Sequence, residues 1–340
     1  MRNGDLAEVL ARAAEGEEGH RARALRRAGR AALLWAEEAV YLLEAGRPLT
    51  ELRAVGPWVA RVIEEVLEAP PDVPEPPETR RGFMTMAEAR AILDDHPQWR
   101  PELRADLQMH TTWSDGTLPL DEMVALAEAQ GHEYVAVTDH SVDLPIARGM
   151  DEPTLRRQMA AIDELNHRLE SEGAGIRALR SLEMNLSPDG DGDMDPAVLG
   201  ELDVVLGAFH SRLRVTEDQT DRYLAAIRNP SVHVLAHPRG RRWNARPGLR
   251  ADWEVVVAEA ARSGTALEID AFPDRQDLQV ELVELARDAG AWISIGTDAH
   301  RPDELLNIDL GLAAAVRAGV PRARILNFLP REDLLAWAAA

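Results

Sequence analysis

The chain has 340 residues, 45% of them apolar and 29% charged, which suits one large and one small globular domain rather than a disordered chain. It contains no Cys, which excludes disulfides and thiolate metal sites, so any metal must be held by His, Asp and Glu. The formal charge is −21, from 59 acids and 38 bases that are all Arg, and such acidity disfavours general nucleic-acid binding by phosphate neutralisation.

The charge is uneven. Residues 1–68 carry 10 Arg and 12 acids, a net of −2, which leaves −19 on the remainder. Apolar residues recurring at three and four predict helices over 4–17, 20–44 and 49–68, punctuated by Gly16, Gly19 and the Gly46–Pro48 region. Arg23, Arg26, Arg27 and Arg30 share one face of the second helix, with Arg21 beside them. That face is either a local phosphate-binding patch or a solvated surface that neutralises Glu15, Glu17 and Glu18. A Pro-rich stretch at 70–80 reads as a semi-rigid linker between a helical domain at 1–69 and a larger domain at 81–340. Thr85 is placed to cap a short helix ending at Asp94, with Glu88 three residues on.

From 104 onward, short β-type runs alternate with helical stretches. The runs are 105–110, 134–140, 176–186, 204–210, 232–238, 266–272 and 292–300; helices are expected at 119–130, 154–171, 216–228, 251–263, 275–289 and 303–318. Continuous apolar runs joined by crossover helices describe a buried parallel sheet. Seven such units predict an α/β, TIM-like closed barrel. A doubly wound open sheet is the rival, and no G-x-G-x-x-G or Walker A sequence favours a nucleotide site on it. No apolar run reaches about 18 residues, and the start lacks the apolar core of a signal peptide, so a cytoplasmic protein without membrane contact is expected.

Five of the ten His end or nearly end these runs: His110, His140, His210, His237 and His300. Asp139, Glu183 and Asp298 share those positions, and Asp115 follows in the first loop. In a closed parallel barrel such residues converge on the C-terminal rim. One strand-end His is commonly a hydrogen-bonding residue; five with carboxylates point to a shared site. Asp298 and His300, two apart, lie on one side of an extended segment. Imidazole with carboxylate suits Zn, Mn or Fe, and more than four ligands implies more than one ion. Multinuclear sites serve phosphate-ester hydrolysis, one ion generating a hydroxide while the others bind phosphate oxygens and the leaving oxygen. His20, His96, His132, His167 and His233 have no matched carboxylate and read as structural.

Five motifs, DLQMHTTWSDG (106–116), AVTDHS (136–141), AFHSRL (208–213), VLAHP (234–238) and GTDAH (296–300), make the sequence resemble a PHP (polymerase and histidinol phosphatase) domain. The resemblance is to the variety at the C-terminus of bacterial family X DNA polymerases and covers roughly residues 80–340. It implies a distorted (β/α)7 barrel with three divalent metal ions. His110, Glu183 and Asp298 would share the first ion; Glu183 would bridge to a second held by His210 and His237; Asp115, His140 and His300 would hold the third. Gln108 stands where the family commonly has His, and either ligates weakly through its amide oxygen or bonds a water. Arg212, directly after His210-Ser211, is a candidate phosphate clamp. Asp139 is expected to orient neighbouring groups rather than ligate. Arg239, Arg241 and Arg242 either line the substrate mouth or form a solvated loop. The acidic run at Asp189, Asp191, Asp193 and Asp195 lacks the spacing of a calcium loop and reads as a polar rim.

LRAVGPWVARVI (52–63) resembles a helix-hairpin-helix with Gly56 at the turn and Val59–Ile63 opening the second helix, a shape that offers backbone N–H groups to a DNA phosphate. Trp58 replaces the usual second Gly, and a plain packed helix pair is the other reading. The stretch between Ile63 and Asp106 has no room for a polymerase palm and fingers, so no DNA synthesis is expected of it. The resemblance implies a metal-dependent phosphoesterase, with 3′–5′ exonuclease or DNA-end processing on single-stranded 3′ ends as the first reading. A small-molecule phosphatase, such as a histidinol-phosphate phosphatase, and a non-catalytic DNA-repair adaptor are the alternatives.

Overall fold

Runs rich in Val, Leu, Ile and Ala form seven strands: β1 (Ala105–Met109), β2 (Tyr134–Val137), β3 (Arg177–Asn185), β4 (Val204–Ala208), β5 (Val234–Ala236), β6 (Ala266–Asp270) and β7 (Ile293–Gly296). All pair in parallel and in chain order. The computed structural model, which describes residues 1–142 and 144–340, is therefore the expected α/β fold, a nearly closed, distorted barrel preceded by an all-helical segment. That segment holds α1 (Asn3–Ala13), α2 (Gly19–Ala32), α3 (Ala39–Glu44) and α4 (Pro57–Glu68), followed by α5 (Met86–Asp94) and α6 (Trp99–Glu102). The crossovers carry α7 (Leu120–Ala129), α8 (Glu152–Ser171), α9 (Pro196–Leu199), α10 (Thr220–Ile227), α11 (Trp253–Ser263) and α12 (Val280–Ala289); α13 (Ile308–Arg317) and α14 (Arg331–Ala338) come last. Thr85 caps α5 by accepting from Glu88 N–H at 3.2 Å, and Asp151 and Asp252 cap α8 and α11 in the same way.

The expected helices at 20–44 and 49–68 both break. Buried Asn3 accepts from Ala39 N–H at 2.9 Å, while its own N–H donates to Glu38 at 2.7 Å. The starts of α1 and α3 thus cap each other, and the chain must turn between Ala32 and Ala39 to allow it. Only one 3₁₀ turn, Leu49–Glu51, precedes α4, whose Pro57 suits the first helical position. The 52–63 segment therefore contains one helix rather than two. The strand expectations also overshoot: the strands stop at Met109, Val137, Ala208, Ala236 and Gly296, and the His residues stand on the loops just beyond.

A seven-stranded barrel closes only where β1 meets β7. Near the strand ends the two backbones bond directly, Asp298 N–H to Gln108 O at 3.0 Å and His110 N–H to Ala299 O at 2.9 Å. Lower down, the buried side chain of Asn327 fills the seam. Its Nδ2 donates to Ala105 O (2.9 Å) and Ile295 O (2.7 Å), and its Oδ1 accepts from Ile295 N–H (2.8 Å). Asp106 adds a third stitch, accepting from Thr297 N–H at 3.0 Å and Thr297 Oγ1 at 2.5 Å. Burial pushes the Asp106 carboxyl up to about 6 in spite of these hydrogen bonds. Below the seam the interior is apolar, with Leu107, Tyr134, Leu179, Leu206 and Val234 closed off by Leu326 and Leu334.

The helical segment builds a core around Leu6, Leu10, Leu25, Leu33, Leu42 and Ile63, and Trp243 of the barrel is buried in that core too. Polar ties flank it. Arg80, buried at the end of the Pro-rich stretch, pairs with Glu8 (2.7 Å) and Glu15 (3.0 Å) and donates to Asn244 Oδ1 (2.7 Å). Arg30 pairs with Asp274 at 2.6 Å. Arg241 donates to Arg81 O at 2.6 Å and lies 3.9 Å over the Phe83 ring. This corrects both readings of 239–242. Arg239 is buried against Leu249 O and Gln279, Arg241 is a buried staple between the barrel and the segment that follows the Pro-rich stretch, and only Arg242 is exposed.

Asn327→Leu removes three hydrogen bonds from buried backbone groups and is expected to destabilise the fold by roughly 3 kcal/mol, read as a lower urea midpoint. The Asp106 carboxyl titrates higher in the folded chain than in the unfolded one, so its ionisation weighs on the folded state. Stability is expected to decline as pH rises from about 4 to about 6, and urea titrations of Asp106→Asn should lack that decline.

Candidate metal centre

Glu183 sits two residues before the end of β3, wholly buried. Its Oε1 lies 2.8 Å from His237 Nε2 and 3.0 Å from His210 Nε2. Its Oε2 lies 3.3 Å from His110 Nε2 and 3.4 Å from His140 Nδ1, and accepts from Gln108 Nε2 at 3.1 Å. His110 Nε2 also reaches Asp298 Oδ1 at 3.0 Å. Asp115 Oδ1 stands 3.2 Å from His300 Nε2 and 3.6 Å from His140 Nε2. The His110 ring stacks on those of His140 and His300, with centroids 4.5 and 4.2 Å away.

Among the described residues, three overlapping groups of ligand atoms result, each capable of holding a divalent ion: His110, Asp115, His140 and His300; His140, Glu183 and His210; and His110, Glu183 and Asp298. The third is the set implied for the first ion. The first contains the set implied for the third ion, with His110 added. In the second, His140 stands where the resemblance placed His237, which shares Glu183 Oε1 with His210 instead.

Local backbone aims these side chains. His237 (φ 27°) and Asp298 (φ 51°) both adopt left-handed backbone, which costs a residue with a Cβ about 1–3 kcal/mol. Hydrogen bonds hold both: His237 N–H to Glu268 at 2.7 Å and Asp298 N–H to Gln108 O at 3.0 Å. A Cβ on Gly116 would fall 2.5 Å from His110 O, so only glycine lets that loop fold tightly enough to return Asp115 over the strand end. A Cβ on Gly296 would fall 2.5 Å from Glu268 Oε1 and 3.1 Å from Gln108 Oε1, filling the cradle beneath the ligands.

The residues fit divalent ions. The donors are imidazole nitrogens and carboxylate oxygens, the set that suits Zn, Mn or Fe. Gln108 Oε1 and His110 Nδ1 are buried with no hydrogen-bond partner, and so is Glu268 Oε1. Burial presses the His110 imidazole down, but the carboxylates of Asp298 and Glu183 raise it well above its usual range. Burial likewise opposes ionisation of Glu183, yet the surrounding imidazoles hold it well below the usual carboxylate range. His140 is driven down to about 3 by burial. A metal ion entering this centre displaces protons from imidazole, so its affinity rises with pH.

Among the described residues, Asp139 is in none of the three ligand groups; its backbone O accepts from Glu183 N–H at 3.2 Å. Its buried side chain accepts from Thr111 N–H (2.9 Å), Thr111 Oγ1 (2.7 Å), Ser114 N–H (3.1 Å), Ser114 Oγ (2.5 Å) and Gln158 Nε2 (2.6 Å), which locks the loop that carries Asp115. Arg212 is exposed on the rim beyond His210, in left-handed backbone at φ 52°, with no hydrogen bond or ion pair among the described residues. Three further residues escaped the sequence reading. Asn185 Oδ1 lies 3.1 Å from His210 Nδ1 and orients that ring; its position two residues after Glu183 on one strand was the available signal. Glu268 was visible as an acid inside an otherwise apolar run. Arg275, whose Nη1 lies 2.6 Å from Asp298 Oδ2, had no local signal at all.

Residues 106–236 match the model of the PHP domain. The chain is 35% identical over 237 residues to "DNA polymerase/3'-5' exonuclease PolX" of Bacillus subtilis, a match covering 69% of this chain and 41% of that protein, so the chain spans less than half of it. It is 30% identical over 241 residues to a "Probable phosphatase" of Edwardsiella ictaluri, covering 67% of this chain and 91% of the relative. It is 27% identical over 246 residues to "Probable phosphatase YcdX" of Escherichia coli K12, with the same coverage. Among solved structures, histidinol phosphate phosphatase from Lactococcus lactis matches with a TM-score of 0.47 at 17% identity, over 64% of this chain and 95% of that one.

Glu183 belongs to two of the three ligand groups and Asp115 to one. Plasma mass spectrometry of dialysed protein is therefore expected to show about two ions lost per chain in Glu183→Ala and about one in Asp115→Ala.

Proposed function

From the premise that the chain belongs to the PHP domain family and is a metal-dependent phosphoesterase, we propose that it is a phosphatase of small phosphate monoesters. The matching region makes up 91% of the length of the phosphatase relatives but 41% of the polymerase and exonuclease, and this is the observation that supports the reading. The net charge of −19 beyond residue 68 supports it too, because a polyanion meets long-range repulsion there that a small ester largely escapes.

In this reading Gln108, His110, Asp115, His140, Glu183, His210, His237, Asp298 and His300 hold the ions. Bound divalent ions supply Lewis acidity and lower the pKa of water toward neutrality. The chain's own residues do the positioning. Asn185 fixes the His210 ring, Asp139 fixes the Asp115 loop, and Arg275 neutralises the outer oxygen of Asp298. Arg212, unpaired and beside His210, is the proposed clamp on the phosphate oxygens, since guanidinium matches them bidentately. Residues 1–69 form a helical domain joined to the barrel through 70–80.

Identity of 35% with the polymerase and exonuclease favours a second reading, removal of nucleotides from single-stranded 3′ ends. DNA contact would then fall to the N-terminal helices. The α4 terminus is a weaker phosphate site than a usual hairpin, because Pro57 at its first position has no N–H.

The two readings separate in one experiment on Mn²⁺-loaded protein, with p-nitrophenyl phosphate and a 5′-labelled single-stranded oligonucleotide as substrates. Phosphate release from the monoester, reduced about 100-fold or more in His237→Ala, is expected, with no ladder of shortened DNA. A ladder without phosphate release would overturn the phosphatase reading in favour of the exonuclease.

A further inference from the structure

We infer that Arg222 and Tyr223, neighbours on α10, are positioning residues for the metal centre: they hold the two turns that carry His210 and His237. The inference rests on the reading that both imidazoles are metal ligands.

The two imidazoles converge on one oxygen. His210 Nε2 and His237 Nε2 lie 3.0 and 2.8 Å from Glu183 Oε1, with ring centroids 5.5 Å apart. Each residue stands just past a strand end, where the sheet no longer fixes the backbone. At His210 the chain leaves the core: Phe209 is buried, Ser211 is exposed and Arg212 is left-handed. At His237 it turns into Pro238, which has no N–H, so only the carbonyl of Pro238 can anchor that residue by a backbone hydrogen bond.

Helix α10 ties down both places. The guanidinium carbon of Arg222 lies 4.0 Å from the Phe209 ring centroid, and its Nη2 donates to Ser211 O at 2.9 Å. One side chain thus grips the residues on either side of His210. Tyr223 is wholly buried, and its hydroxyl donates to Pro238 O at 2.8 Å, the residue after His237. The Tyr223 ring meets Phe209 edge to face at 5.9 Å, so the two grips are packed together. Successive helical residues point about 100° apart, which lets neighbours on one helix serve two loops. The helix is itself firmly seated. Tyr223 packs on Trp253 with ring centroids 4.9 Å apart, and a Cβ on Gly190 would fall 2.6 Å from the carbonyl carbon of Ala225. The two turns also touch each other, since a Cβ on Gly240 would fall 2.8 Å from Leu213 Cδ2.

Arg222 works against the stability of the fold. Its Nε and Nη1 are buried with no hydrogen-bond partner, and it has no ion pair among the described residues. A buried cation without a carboxylate opposes folding, and an apolar side chain of similar length would serve stability better. Methionine would still pack on Phe209 but has no donor for Ser211 O. The hydrogen bond at the His210 turn is what the guanidinium adds. A residue that breaks a rule of burial while holding a ligand's turn acts for the site rather than for the fold.

Titration of metal-stripped protein with Co²⁺, in competition with a chelator and followed by the visible absorption of the bound ion, tests this together with urea midpoints of the metal-free protein. Arg222→Met is expected to lower one Co²⁺ affinity about tenfold or more while its urea midpoint holds or rises. Arg222→Lys keeps a donor for Ser211 O and should recover part of that affinity. Tyr223→Phe is expected to lower Co²⁺ affinity by a similar factor. Tyr134→Phe is its matched control, because that buried hydroxyl also donates to a backbone carbonyl at 2.8 Å, Leu329 O, at the opposite end of the barrel. It should lower the urea midpoint and leave Co²⁺ affinity unchanged. Wild-type affinity in Arg222→Met or in Tyr223→Phe overturns the role of that residue, and an equal loss in Tyr134→Phe overturns both. His210→Ala tests the ligand reading separately. If it loses an ion while the α10 variants do not, the ligand reading stands and the positioning role falls. If it keeps every ion while the α10 variants lose affinity, His210 is not a ligand and the pair acts through His237.

Discussion

A carboxylate with no access to water is the constraint on which the rest of this structure depends. Glu183 lies inside the barrel, and an isolated charge there would be heavily penalised. It is tolerated because His110, His140, His210 and His237 bring ring nitrogens to its two oxygens. Each His follows a different strand, so the centre exists only if β1, β2, β4 and β5 are all wrapped around β3. The barrel and the centre are therefore one construction. The β1–β7 seam makes the same point: Asp298 N–H and His110 N–H close the barrel through backbone hydrogen bonds, while their side chains meet Glu183 or each other.

The outer layer follows the same logic of compensated burial. Arg80 is a buried cation, and breaking such a pair leaves an uncompensated charge, so its contacts with Glu8, Glu15 and Asn244 hold the Pro-rich stretch between helices and barrel. Burial alone would raise Glu8, but the hydrogen bonds from Arg80 and Arg12 bring it below the usual carboxylate range. Through Trp243 and Asn244 this junction reaches the loop that begins at His237. A contact far from the metal ligands in sequence thus sets the shape of the rim beside them.

Much of this was legible in the residues, for reasons that are local. Seven apolar runs separated by helical periods revealed seven units, because side-chain period and burial are properties of short segments. His and acids at the run ends revealed a shared site, because parallel strands in a barrel must end on one face. The errors have a common cause. The 20–44 helix breaks because Asn3, more than thirty residues away, caps the second half. Arg241, expected either at the substrate mouth or in a solvated loop, is a buried staple, because Phe83, Arg81 and Gln279 pack around it from other parts of the chain. Arg275 carried no signal, since its partner Asp298 lies on another loop.

The sequence by itself determined the number of β/α units, the kinds of ligand, their order and the absence of sulfur among them. Tertiary structure decided which oxygen meets which imidazole, that His140 joins Glu183 and His210 in one group, and that Asn185, Glu268 and Arg275 belong to the centre. The physical reason is separation along the chain. Periodicity and residue chemistry act over one or two turns, whereas Gln108 meets Glu183 across 75 residues and His110 meets Asp298 across 188. Contacts at that range are selected by closure of the barrel and by the need to compensate every buried charge.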